Sequence, residues 1–111
     1  METIVLEIPS KPEFIVTLRL ATASIAQLMG FNIEVVDDLR ICVSEAVNYL
    51  VDYNEKLHFE YFMEEEELRI VIQAENIVEK KESPDLHWLI LDSLLDKVEK
   101  KNNSLILTKK L

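Results

Sequence analysis

The stretch Asp37-Asp38-Leu39-Arg40-Ile41-Cys42-Val43-Ser44-Glu45-Ala46-Val47-Asn48 gathers many of the chain's chemistry-bearing side chains on what reads as one helix. Glu45 is its sharpest functional candidate. A carboxylate there either takes part in chemistry or is a solvated charge paired with Arg40 or Lys56. Cys42 beside Ser44 is not a hydrolase motif, and neither histidine has a nucleophile near it in sequence. His58 and His87 lie on different predicted elements with no third residue at metal-ligand spacing, so the pattern predicts no metal site. Glu75 is either a ligand-reading carboxylate or a polar strand end. The chain has one glycine, Gly30. Phosphate-binding loops use glycines so that backbone can approach phosphate closely and adopt positive φ. A glycine-rich phosphate cradle cannot be built from this sequence.

The elements that position these residues are legible in outline. Residues 3–8 are β-branched and apolar and predict a strand ended by Pro9. Ser10-Lys11-Pro12-Glu13 has the capping-box pattern, with Pro12 in the first turn of a helix running to about Met29. Phe14, Leu18, Ala21, Ile25 and Leu28 share one face of it. Gly30 stands where a left-handed C-terminal cap is wanted. Asn32 is placed to cap a second helix over about 34–53, with Val35, Leu39, Cys42, Val43, Ala46 and Leu50 as its stripe. Strands are predicted over 57–63 and 68–74 around an acidic turn.

Residues 77–83 read as a short polar connection. Pro84 then opens a third helix whose buried side is Leu86, Leu89, Ile90, Leu94, Leu95 and Val98. Asn102-Asn103 makes a turn before a last strand over 104–111. The order β-α-α-β-β-α-β predicts an α/β (α+β) fold: a two-layer sandwich of a mixed four-stranded sheet with three helices on one face. Lys97, Lys100 and Lys101 complement the negative end of the last helix, or join Lys109 and Lys110 in a basic docking surface.

At 111 residues the natural count is one domain, and 49% hydrophobic residues suffice for a real core. The net charge of −9 repels nucleic acid and suits a basic protein partner, although acidity also serves solubility. Cys42 is the lone cysteine, which excludes an intrachain disulfide. The opening METIVLEIPS lacks a basic n-region and a long apolar run, and no stretch approaches the roughly 20 apolar residues of a membrane span. The sequence therefore reads as cytoplasmic, without a membrane partner.

The series Ile8-Pro9, Pro12-Glu13-Phe14, Leu18-Arg19-Leu20, Met29-Gly30, Asp38-Leu39 to Glu45-Ala46, and Leu94-Leu95-Asp96-Lys97-Val98 resembles, in order, the anti-sigma-factor serine/threonine kinases of the RsbW/SpoIIAB type. These belong to the GHKL (Bergerat-fold) ATPase superfamily. The resemblance covers most of the chain and implies one truncated GHKL ATPase-like domain over 1–111. It places Glu45 on the catalytic base that activates a partner's serine hydroxyl.

The family's magnesium-binding Asn follows that Glu by four residues. Here the fourth residue is Tyr49, and Asn48 comes one early, a rotation of roughly 100° on a helix. The family's Asp-x-Gly-x-Gly adenine motif corresponds to Glu75-Asn76-Ile77-Val78-Glu79, with a longer carboxylate and no glycine. Its last glycine-rich turn corresponds to Asp85-Leu86-His87, where Asp85 is placed to cap the helix itself. The connection before it is too short for the family's lid. Tyr49 and Trp88 are candidates to fill the vacated nucleotide pocket.

The resemblance with these departures implies a degenerate member: a non-catalytic regulatory protein acting by protein–protein binding, with no cofactor. Glu45, Asn48 and Glu75 would be vestigial catalytic and ATP/Mg positions. The partners implied are a sigma factor, a STAS-domain anti-anti-sigma factor and a second copy of the chain, with residues 11–19 in the binding surface. The alternative is an active kinase that binds ATP and magnesium through an atypical site. A dimerising scaffold with another task is a third reading.

Overall fold

In the computed structural model, residues 2–50, 54–77 and 85–111 are described. Strand β1 spans Glu2–Pro9, helix α1 Ile15–Met29 and helix α2 Ile33–Leu50. Strands β2 and β3 span Lys56–Met63 and Glu67–Gln73. Helix α3 spans Leu86–Leu94, and strands β4 and β5 span Lys97–Lys101 and Ser104–Lys110. The strands form one sheet in the order β1-β2-β3-β5-β4, and every neighbouring pair is antiparallel.

The α/β class and the three helices agree with the sequence reading, but the sheet has five strands rather than four and is antiparallel rather than mixed. The difference lies at residues 95–101. Leu94, Leu95 and Val98 were expected to extend the last helix. Instead Leu95 turns extended (φ −107°, ψ 156°), and the Asp96 N–H donates to the Thr108 carbonyl. The Asn102-Asn103 turn, with Asn102 at φ 49°, then folds Lys97–Lys101 back on β5. Continuing the helix would have left β5 as an open edge with unpaired backbone, which the hairpin avoids. The expected role of Lys97, Lys100 and Lys101 at a helix end is thereby overturned, since they lie on β4. Lys109 takes it instead: its Nζ donates to the Leu94 carbonyl at 3.0 Å.

Register sorts the sheet's two faces. Tyr61, Ile70, Leu107 and Val98 stand opposite one another across four strands, and Phe59, Ile72 and Leu105 form the next row. These residues face the helices and, except for half-buried Val98, are buried. Tyr61 bonds Thr22 of α1 from this face, and Lys109 reaches α3 from it. The opposite face carries His58, Glu60, Phe62, Arg69, Val71 and Ile106, half-buried and laced by the pairs Lys56–Glu7, His58–Glu60 and Arg69–Glu64.

Local signals decide most helix ends. Gly30 sits at φ 89° and closes α1, its N–H donating to the Gln27 carbonyl at 3.0 Å. Asn32 Oδ1 accepts from the Val35 N–H at 3.0 Å and caps α2. The capping box at Ser10 and Glu13 is not used: a short 3-10 turn over Pro12–Phe14 leads into α1, with Lys11 at its N-cap and no side-chain cap. The buried face of α1 is Leu18, Thr22, Ile25 and Ala26, so the expected Leu28 points outward, 75% exposed. On α2, Leu39, Cys42, Val43, Ala46 and Leu50 are buried as expected, joined by Val36, Val47 and Tyr49. Its expected last residues, 51–53, and Pro84 lie outside the described residues, as does most of the 77–83 connection.

Candidate functional site

Glu45 lies on the fourth turn of α2, half-buried. Its Oε2 is paired with Nδ1 of His87, in the first turn of α3. Neither Arg40 nor Lys56, the partners expected from sequence, reaches it: Arg40 pairs with Asp37 at 3.4 Å and Lys56 with Glu7 at 3.2 Å. The local reason is helix geometry. Asp37 lies three residues before Arg40 on the same exposed side, while Glu45 is on the side that meets α3.

The head of α3 is closed by its own side chain. Asp85, in extended conformation (φ −71°, ψ 120°), accepts the His87 N–H on Oδ1 at 2.9 Å. A carboxylate in that place satisfies one of the free N–H groups that an anion would otherwise use. One residue beyond His87, the Trp88 ring meets the Tyr49 ring with centroids 6.1 Å apart and planes at 50°. Glu45 and Tyr49 are four residues apart on α2, one turn along the same face, so His87 and Trp88 engage a single stripe of that helix.

The other predicted positions are not drawn in. Asn48 is exposed on α2. Glu75 is exposed just beyond β3, and borders a groove on the open face of the sheet with Glu7, His58, Gln73 and Lys101. Nothing joins it to Glu45. Ile77 is half-buried, and Val78 and Glu79 lie outside the described residues. His58 pairs with Glu60 at 3.5 Å, far along the chain from His87. Among the described residues no group of three or more His, Cys, Asp or Glu side chains is placed to hold a metal ion, and no helix is long and apolar enough to cross a membrane.

Sequence reasoning missed Asn54. Its Oδ1 accepts the Asn76 N–H at 2.8 Å, and its Nδ2 donates to the Asn76 and Leu50 carbonyls at 2.8 and 2.9 Å. It thereby ties the segment after β3 to the end of α2. An asparagine beyond a helix offers no spacing signal for a partner 22 residues away. Cys42 is fully buried, and burial pushes its thiol up to about 12 from an ordinary 9.0, with the Asp38 charge adding and Lys109 opposing. Such a thiol is inert at neutral pH.

Chemically, the arrangement is a carboxylate–imidazole pair at the junction of two helices beside an aromatic pair, with Oε2 of Glu45 engaged by His87.

No protein-family model matches the chain. Among characterised proteins, it is 35% identical over 75 residues to the serine-protein kinase RsbW of Listeria monocytogenes, covering 62% of this chain and 48% of that protein. It is 27% identical over 126 residues to the serine-protein kinase RsbW of Halalkalibacterium halodurans, covering 93% of this chain and 78% of the relative. The chain thus spans about half the length of the first of these relatives. Among solved structures, it matches the crystal structure of the RsbU and RsbW domains of Rv1364c from Mycobacterium tuberculosis with a TM-score of 0.66 at 10% identity, over 99% of this chain and 32% of that one. The structural likeness bears on the fold, and the sequence matches bear out the kinship read from the ordered residues.

Proposed function

We propose that this relative of the RsbW serine-protein kinases is a non-catalytic regulator that acts by protein–protein binding in the cytoplasm, with a sigma factor or a STAS-domain anti-anti-sigma factor as partner. The observation that carries this reading is the Glu45–His87 pair. A general base needs free reach to the proton it abstracts, and here the carboxylate in the catalytic place is engaged by a side chain from the facing helix. Three further features support it. Asp85 occupies the helix N-terminus where a phosphate would bind. Asn48, one residue short of the family's metal position, is exposed. The alignment with the Halalkalibacterium kinase is longer than this chain, so the relative carries residues in the aligned stretch that have no counterpart here.

On this reading no magnesium or nucleotide is bound: Tyr49 stands at the family's metal-ligand position and Asp85 caps the helix where a phosphate would sit. On this reading Glu45, Asn48 and Glu75 are vestigial, and residues 1–111 form one reduced GHKL-type domain. Partner choice then depends on concentration and competition, because no phosphorylation resets it.

The binding surface we assign is α1 and its approach. Val16 and Leu20 are 62% and 64% exposed one turn apart, and Leu28 and Ile33 continue the apolar exposure. Arg19 lies between the first two, and its Nε is buried without a hydrogen-bond partner among the described residues. Apolar side chains exposed along α1 and at the start of α2, beside an arginine Nε with no partner among the described residues, suit a protein interface. The same surface would serve a homodimer.

Calorimetry with ATP and Mg²⁺, followed by titration of purified sigma factor and STAS protein, tests the proposal. No heat at millimolar nucleotide together with saturable binding of either protein is the expected result. Magnesium-dependent ATP binding, with partner phosphorylation lost in Glu45→Ala, would replace it with the second reading: an active serine/threonine kinase with an atypical site. The naming of the relatives as serine-protein kinases favours that reading.

A further inference from the structure

We propose that a second copy of this chain docks on the free edge of β1, the two β1 strands pairing antiparallel about a two-fold axis through Val5. This seats the homodimer of the preceding reading on the sheet edge beside α1. It rests on that reading for the second copy and not on the loss of catalysis.

The sheet has two edges, β1 and β4. The β4 edge is protected: it has five residues, and Lys97, Glu99, Lys100 and Lys101 charge it almost throughout. Short length and lysines keep sheet edges from pairing. The β1 edge lacks both devices. It runs for eight residues, those from Thr3 to Leu6 carry no charge, and Ile4 and Val5 are 36% and 56% exposed.

The backbone of β1 is open in a fixed pattern. The Ser10 N–H donates to the Glu55 carbonyl at 2.8 Å, so every second residue before Ser10 turns its backbone groups to β2. Thr3, Val5 and Glu7 turn theirs outward, and among the described residues no backbone group bonds to them. Pro9 closes the series: it has no N–H, and its carbonyl accepts from the Lys11 N–H at 2.9 Å.

That pattern is self-complementary. With the axis at Val5, Val5 faces the partner's Val5 and Thr3 faces the partner's Glu7, so every outward N–H meets an outward carbonyl. An axis at Leu6 would set Thr3 against a proline, and one at Ile4 would carry Glu7 past the end of the other β1. On the helix side of the sheet Ile4 comes against the partner's Leu6, which covers apolar surface now in water. On the open side the Thr3 hydroxyl meets a carboxylate, and no like charges stand opposite one another. The same patch serves both copies, as a closed two-fold dimer requires. An axis normal to the sheet keeps all helices on one side. The two α1 helices, each bonded to β2 through Thr22 and Tyr61, then flank the join.

The test is sedimentation of the full chain over a concentration series, for the unmodified protein and Val5→Lys, with circular dichroism to show that the variant is folded. A dimer is expected. Val5→Lys sets like charges face to face on the axis and should raise the dissociation constant at least roughly tenfold. In Val5→Cys, oxidation should link two chains, because opposed residues of a hydrogen-bonded pair stand about 5.5 Å apart at Cα, within disulfide reach. Cys42 is fully buried and should stay unlinked. A monomer at every concentration, a dimer indifferent to Val5→Lys, or no linked dimer from Val5→Cys would each overturn the pairing. Nucleotide and partner titrations read the proposed function separately, so either can fail without the other.

Discussion

Thr22 Oγ1 and the Tyr61 hydroxyl lie 2.7 Å apart in the fully buried core, 39 residues apart in sequence. Thr22 also donates to the Leu18 carbonyl at 2.8 Å. Its single proton is spent there, so the Tyr61 O–H donates to Thr22. Helix α1 is thereby joined to the centre of the sheet by a polar bond inside an apolar layer. Removing one partner strands the other without water. Tyr61→Phe or Thr22→Val alone should destabilise by roughly 1–3 kcal/mol, and the double variant by less than the sum of the two. Urea unfolding of the three variants checks this.

Alkaline pH should unfold the protein early. Burial pushes the Tyr61 hydroxyl up to about 12 from 10.0, partly offset by its bond to Thr22, and the Cys42 thiol also to about 12. Both groups hold their protons in the folded state where the unfolded chain has lost them. The unfolded state therefore binds fewer protons, and stability falls as pH rises. The contribution is fully present below about 9, the ordinary value for the thiol, and is lost by about 12. It is on the order of 3 kcal/mol for each group. Thermal melts should show Tm level up to about pH 9 and falling steadily above it, and a thiol reagent at neutral pH should label Cys42 only in denaturant.

The link between α1 and α2 is set by two caps that are separable by substitution. Gly30 has open space where a Cβ would stand, so Gly30→Ala meets only the backbone strain of φ 89°, about 1–2 kcal/mol. Asn32→Ala removes the bond to the Val35 N–H and should cost about 1 kcal/mol. A Gly30→Asn variant should recover part of the first loss, since asparagine tolerates that region. Equilibrium denaturation distinguishes the three.

Leu20 is exposed on α1 and contributes little to the fold. Leu20→Asp should leave stability within about 0.5 kcal/mol. If α1 is the docking surface, it should weaken binding of the sigma factor or STAS protein at least roughly tenfold, because a charge is then desolvated in an apolar contact. Equal affinity in a titration would move the interface elsewhere.

Much of the candidate site was legible because its signals are local. Asp85 was expected to cap its helix and does, since the residue before a helix start needs only its own backbone neighbours. Tyr49 and Trp88 were set apart as aromatics of one region, and they meet. Glu45 was singled out from its helix, but its partner was sought at Arg40 and Lys56 and is His87. His87 lies 42 residues away, and no spacing rule connects two helices that meet only by packing.

The sequence by itself determined the order of the first elements, the hairpin of β2 and β3, the turns at Gly30 and Asn102-Asn103, and the apolar stripe of α2. Periodicity and backbone preference act within a few residues and leave their mark there. Only the tertiary structure decided whether 95–101 continued a helix or became a strand, because Leu94, Leu95 and Val98 suit both periods and the neighbouring edge of β5 offers hydrogen bonds that a helix would leave unused. Packing likewise decided that Thr22 is buried against Tyr61, that Lys109 rather than its neighbours on β4 closes α3, and that Glu45 is held by His87. Each of these joins groups distant in sequence, and such pairings exist only once the helices lie on the sheet.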